Sequence, residues 1–198
     1  MAWTFGLLAL LFGCGRDITL PKLAPSDVIV AFGDSLTAGT GADAPRDAYP
    51  AVLGRLIGRE VINSGVPGET SADGLRRLPE VLAEHRPKLV LLCLGGNDIV
   101  QHLDSKQTVK NLTAMVQLAK AGGAAVLLIG VPDRNLFGGV AKYYPEVADA
   151  LLLPYEGEVM NEVLRAARLK SDPVHPNSAG YRRIGESLAL SLKDAGAI

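Results

Sequence analysis

Cysteine, aromatic side chains and unbalanced charge are all scarce in this sequence, and each scarcity removes a class of function. Only two cysteines occur, Cys14 and Cys93. Neither belongs to a C-x-x-C pair or a Cys/His cluster with the ligand spacing of a zinc site, so no metal is expected. Cys93 lies inside the apolar run Leu89–Leu94, where a small buried hydrophobe is the simplest reading. Aromatic residues are 5% of the chain and scattered, which leaves no stacking platform for bases. Lys and Arg number 20 against 21 Asp and Glu, for a net charge of −1, so counterion release has little to act on. Nucleic acid is therefore not an expected partner.

A hydrophobic run of membrane-spanning length is also lacking. Trp3–Phe12 is apolar but only about half the length needed to cross a bilayer, and it leads into Gly13-Cys14-Gly15-Arg16. This is the layout of an export signal. Leu11-Phe12-Gly13-Cys14 resembles the bacterial lipoprotein signal box, in which the leader is cut before the cysteine and the thiol is acylated. Phe12 is bulkier than that box usually carries, and no Lys or Arg precedes the apolar run, a gap that a start site set too late would explain. The plainer alternative is an apolar N-terminus with no such role. The expectation is an exported protein of the bacterial periplasm or cell envelope, with Cys14 as lipidation candidate and membrane anchor. Residues 1–24 are set apart as leader and linker, and the fold is expected over 25–198.

At 198 residues one domain with a full core is the default. After the linker around Pro21 and Pro25, short Val/Ile/Leu runs alternate with longer amphipathic segments, as when parallel strands are buried on both faces by crossover helices. The pattern predicts an α/β fold with strands near 27–32, 60–63, 88–94, 124–130 and 150–153. Helices are expected near 47–58, 71–85, 106–121, 156–168 and 178–195. Ser105 is the expected N-cap of the third of these and Gly122-Gly123 its stop, while Pro79 is expected to kink or divide the second. Five strands suit a flavodoxin-like three-layer α/β/α sandwich. The longest expected loop, 131–145, is a candidate border of a substrate site.

In such a sheet, ligands gather beyond the carboxyl ends of the strands, and the polar motifs fall there. The first strand runs into Gly33-Asp34-Ser35-Leu36, the second into Asn63 through Ser71, and the third into Gly95-Gly96-Asn97-Asp98. The loop before the last helix carries Asp172-Pro173-Val174-His175. These four ordered blocks resemble those of the SGNH (GDSL-like) hydrolases across nearly the whole domain. Gly-Asp-Ser-Leu-Thr-Ala-Gly, Gly-Glu-Thr-Ser and Leu-Gly-Gly-Asn-Asp resemble in particular the bacterial arylesterase/thioesterase/lysophospholipase branch.

The resemblance implies a catalytic triad of Ser35, Asp172 and His175: the serine attacks an acyl carbon, the histidine takes its proton and the aspartate orients the ring. It implies an oxyanion hole made of the backbone N–H groups of Ser35 and Gly68 and the side-chain amide of Asn97. Alone, Gly68 would read as a turn and Asn97 as a loop brace. The residues agree independently, because a serine hydroxyl is a poor nucleophile until a neutral imidazole accepts its proton. His85 and His102 have no carboxylate at a comparable spacing in a proline-flanked loop, so His175 is the natural base. Asp34 and Asp98 are expected to brace loops, Asn63 to tie down the second turn, and Glu69 and Asp73 to be ordinary acids at a helix start.

The implied activity is hydrolysis of short- to medium-chain acyl esters or thioesters through an acyl-enzyme, with no cofactor and a small acyl ester as substrate. The loop Gly130–Phe137 departs from the form usual in that branch and bears on chain length. A carbohydrate O-acetylesterase is the alternative enzyme, and a non-catalytic lipoprotein binding acyl ligands the alternative outside enzymes. No feature of the chain bears on its oligomeric state.

Overall fold

The computed structural model describes residues 18–133 and 138–198. The apolar leader with Cys14, and Arg134–Phe137 of the departing loop, lie outside the described residues. Five parallel strands form one sheet: β1 (Ile29–Gly33), β2 (Val61–Gly65), β3 (Leu89–Cys93), β4 (Ala125–Ile129) and β5 (Tyr155–Glu156). Their order is β2-β1-β3-β4-β5. Every residue of β1 and β3 is buried, which is why these strands read as unbroken apolar runs.

Helices flank the sheet. On one side α3 (Tyr49–Ile57) packs on α9 (Ser178–Asp194), with α8 (Val159–Arg165) against α9. A second group joins α4 (Ser71–His85), α6 (Ser105–Ala121) and α7 (Tyr143–Leu151). Short helices α1 (Ser35–Ala38), α2 (Ala44–Asp47) and α5 (Gly96–Val100) follow strand ends or turns near the site. None of the described helices is long and apolar enough to cross a membrane.

The last strand lies at Tyr155–Glu156 rather than 150–153. Tyr144, Val147 and Ala148 are buried, and with Leu151 they follow the i, i+3, i+4, i+7 spacing of one helical stripe. The triple leucine therefore closes α7, and Leu152 caps it at φ 50°. The helix expected over 156–168 is the shorter α8 followed by a 3₁₀ turn at Ala167–Leu169. At α6 the cap is Asp104, whose carboxylate accepts the Lys106 N–H, one residue before the expected Ser105. Gly122 ends that helix.

Pro79 does not divide α4, which runs from Ser71 to His85 with Leu78 and Val81 seated in the core. The capping box of Thr70 and Asp73 fixes its start. Residues 18–24, set apart above as linker, carry Leu20 and Leu23 into the core. Their N–H groups bond to the carbonyls of Ala195 and Ala197, so the packed chain begins before residue 25.

Candidate active site

The site starts at the carboxyl end of β1, where the chain turns within one residue from strand to helix. Gly33 makes this turn possible. A Cβ there would collide with the Cys93 carbonyl and the Thr37 hydroxyl. Asp34 caps α1 by accepting the Leu36 N–H at 3.0 Å, and Ser35 takes the first helical position. A backbone N–H at that position has no intrahelical acceptor. The turn is braced from α9 by the buried Tyr181, whose hydroxyl donates to the Thr40 carbonyl at 2.9 Å, and from α3 by Tyr49, whose hydroxyl lies 3.0 Å from Thr37 Oγ1.

The loop before α9 returns to this point. His175 Nε2 lies 3.0 Å from Ser35 Oγ, and its Nδ1 lies 2.7 Å from Asp172 Oδ2. The other oxygen, Asp172 Oδ1, accepts the N–H groups of Val174 and His175, each at 2.9 Å. One carboxylate thus shapes the loop and orients the ring. The Val174 N–H, and after it the imidazole, hold the Asp172 carboxyl below the usual carboxylate range. Neither His85 nor His102 lines the cavity around Ser35.

Two further loops face the same cavity. Gly68 sits between β2 and α4 at φ 82° with no heavy atom within 4 Å of an added Cβ. Backbone conformation, and not lack of space, therefore calls for glycine there. Asn97, the second residue of α5, donates from Nδ2 to the Glu69 carbonyl at 2.9 Å, with a longer 3.4 Å approach to Asp34 Oδ2. One amide hydrogen is committed to the Glu69 carbonyl, which sets the plane of the group. Ser35, Gly68, Asn97 and His175 all line a cavity of about 800 Å³. Its apolar wall includes Leu36, Ile99, Val131 and Leu164.

The bracing residues sit as the sequence suggests, with one exception. Asp98 is buried and accepts from the Ser71 N–H and hydroxyl and from the Thr108 hydroxyl, tying α5 to α4 and α6. Asn63 Oδ1 accepts the Gly65 N–H at 3.0 Å. Asp73 belongs to the capping box. Glu69 differs: it is buried and paired with Arg77, a partnership eight residues long that no local motif announces. Of the loop expected to border the site, Val131, Pro132, Asp133 and Gly138 line the cavity.

An open parallel sheet with a serine at the switch point, hydrogen-bonded through histidine to aspartate, defines the class of serine hydrolases. The chain belongs to the GDSL-like lipase/acylhydrolase family, whose model matches residues 31–183, and it is a carboxylic ester hydrolase of that family. It is 34% identical over 197 residues to the esterase TesA of Pseudomonas aeruginosa, spanning 93% of this chain and 96% of that protein. It is 33% identical over 183 residues to thioesterase 1/protease 1/lysophospholipase L1 of Escherichia coli, spanning 87% and 86%. A crystal structure of TesA matches the fold with a TM-score of 0.78 at 31% identity, over 85% of this chain and 99% of that one.

Proposed function

We propose that the protein hydrolyses short- to medium-chain acyl esters or thioesters through an acyl-enzyme on Ser35. The observation that carries this is the unbroken series Ser35 Oγ, His175 Nε2, His175 Nδ1, Asp172 Oδ2, with steps of 3.0 and 2.7 Å at its two hydrogen bonds, open to a cavity with an apolar wall.

Ser35 Oγ attacks the acyl carbon as its proton moves to His175 Nε2. The imidazolium that forms is held by Asp172, whose contact with Nδ1 leaves Nε2 as the basic nitrogen. Negative charge develops on the former carbonyl oxygen and is met by the N–H groups of Ser35 and Gly68 and by the Asn97 amide N–H that the long 3.4 Å bond to Asp34 Oδ2 engages only weakly. Each such donor is typically worth about 10²–10³ in rate. Collapse expels the alcohol or thiol, which takes the proton from Nε2. Water then attacks the acyl-enzyme with His175 as base, releasing the acid and restoring Ser35. The apolar wall fits an acyl chain, and the names of the relatives, esterase and thioesterase, point to the same substrates. Export and acylation at Cys14 complete the proposal and rest on the leader sequence alone.

The test is hydrolysis of p-nitrophenyl esters from acetate to laurate by the wild type and Ser35→Ala. Turnover of butyrate to octanoate that is lost in Ser35→Ala supports the reading. Activity confined to acetate would instead favour an O-acetylesterase, and absence of turnover by folded wild type would favour a binding protein.

A further inference from the structure

Glu69 and Arg77 are not part of the hydrogen-bonded series, yet they are joined to two of its neighbours. The Arg77 guanidinium donates from Nε to Glu69 Oε1 at 2.7 Å and from Nη2 to Oε2 at 2.5 Å. It also donates from Nη1 to Ser64 Oγ at 2.7 Å and from Nη2 to the Ser64 carbonyl at 3.1 Å. Its Cζ stands 4.2 Å above the centroid of the Phe32 ring. One side chain on α4 thereby grips β1, the end of β2 and the loop between β2 and α4.

The gripped residue sits directly after Gly68, and its carbonyl holds the Asn97 amide at 2.9 Å. Any shift of residue 69 therefore moves both. We propose that Arg77 and Glu69 are a positioning pair that sets Gly68 and Asn97 at their working distance from the oxyanion, an inference that rests on the donor assignment above.

Stability alone does not account for the pair. Removing a carboxylate and a guanidinium from water is costly, and an apolar pair of similar volume often serves as well. The Glu69 side chain is only 6% exposed and that of Arg77 23%, so this cost applies here. What a planar, multi-donor fork supplies that an apolar pair or an ammonium does not is direction. Direction matters at a reacting centre, where about 1 Å of misplacement can cost about 10² in rate.

The test is steady-state kinetics on p-nitrophenyl butyrate, with melting temperatures, for wild type, Arg77→Lys, Glu69→Gln, Asn97→Ala and the combinations of each of the first two with Asn97→Ala. Arg77→Lys keeps the charge and loses the fork. It is expected to lower kcat roughly tenfold to a hundredfold with KM within about twofold. In the Asn97→Ala background the same change should lower kcat by a clearly smaller factor than in the wild type, because one of the two donors it aims is gone and only Gly68 is left to shift. If Arg77→Lys does not fold, Glu69→Gln carries the same comparison. Folded variants with kcat within about twofold of wild type would overturn the positioning role, and equal losses in both backgrounds would overturn the positioning of Asn97. If Asn97→Ala itself leaves kcat unchanged, the donor assignment has failed first. A slow Asn97→Ala beside fast Arg77→Lys and Glu69→Gln variants overturns the pair alone.

Discussion

Asp172 holds His175 at two places, with Oδ2 2.7 Å from ring Nδ1 and Oδ1 2.9 Å from the backbone nitrogen of the same residue. The two oxygens can be separated by mutation. Asp172→Asn can keep its oxygen toward the Val174 and His175 N–H groups while placing an NH₂ against Nδ1, which favours the wrong tautomer. kcat for p-nitrophenyl butyrate should fall by about 10³–10⁴ with little change in melting temperature. Asp172→Ala also loses the loop acceptors and should lower both. Equal activity of Asp172→Asn and wild type would remove Asp172 from the mechanism.

Gly68→Ala tests the second loop. With φ at 82° and open space around the added methyl, the expected penalty is about 1–2 kcal/mol of backbone strain, relieved by turning the peptide. That turn would draw the N–H away from the oxyanion, so kcat should drop at least tenfold while KM changes little. Gly68→Asn, which tolerates this conformation better, should recover part of the rate. A Gly68→Ala enzyme that is destabilised but fully active would remove the N–H from the oxyanion hole.

Asp34 gives a pH signature. Burial lifts its carboxyl to about 7, against the opposing pull of the Leu36 N–H and the His175 charge. In the unfolded chain the value is about 3.9. Between these limits the folded protein holds a proton that the unfolded chain releases. The Asp34 contribution to stability is therefore fully present below about pH 4 and is lost as pH rises towards 7. Asp34→Asn can still cap α1 but does not titrate. Its melting temperature relative to wild type should climb between pH 4 and 7 and level off above; parallel curves across that window would contradict the raised value.

Cys14 can be tested without reference to the fold. Acylation predicts that the exported full chain partitions with membranes and that Cys14→Ser releases it, with esterase activity unchanged in both forms. Wild-type protein recovered in the soluble fraction with its N-terminus intact would exclude the anchor.

Much of the architecture was legible before any coordinates. Strands buried on both faces must be continuously apolar, so Ile29–Phe32, Leu89–Cys93 and Val126–Ile129 stood out. The blocks ending the first three strands had to meet, because the loops at the carboxyl edge of a parallel sheet converge. β5 was misplaced because it is two residues long, too short to carry a period, beside a leucine run that completes a helical stripe. The cap of α6 was missed by one residue because Asp104 and Ser105 are both competent N-caps.

The identity of the proposed reacting groups therefore belongs to the sequence. Ser35, His175 and Asp172 are the residue types that proton transfer demands, while Gly68 and Asn97 are singled out by the resemblance of their blocks alone. Distance and direction belong to the tertiary structure. Whether His175 reaches Ser35 across 140 residues, or Arg77 orients Glu69 and through it Asn97, depends on how α4, α5 and α9 pack on the sheet. That packing sums many weak, non-local contacts, and no short stretch of residues encodes it.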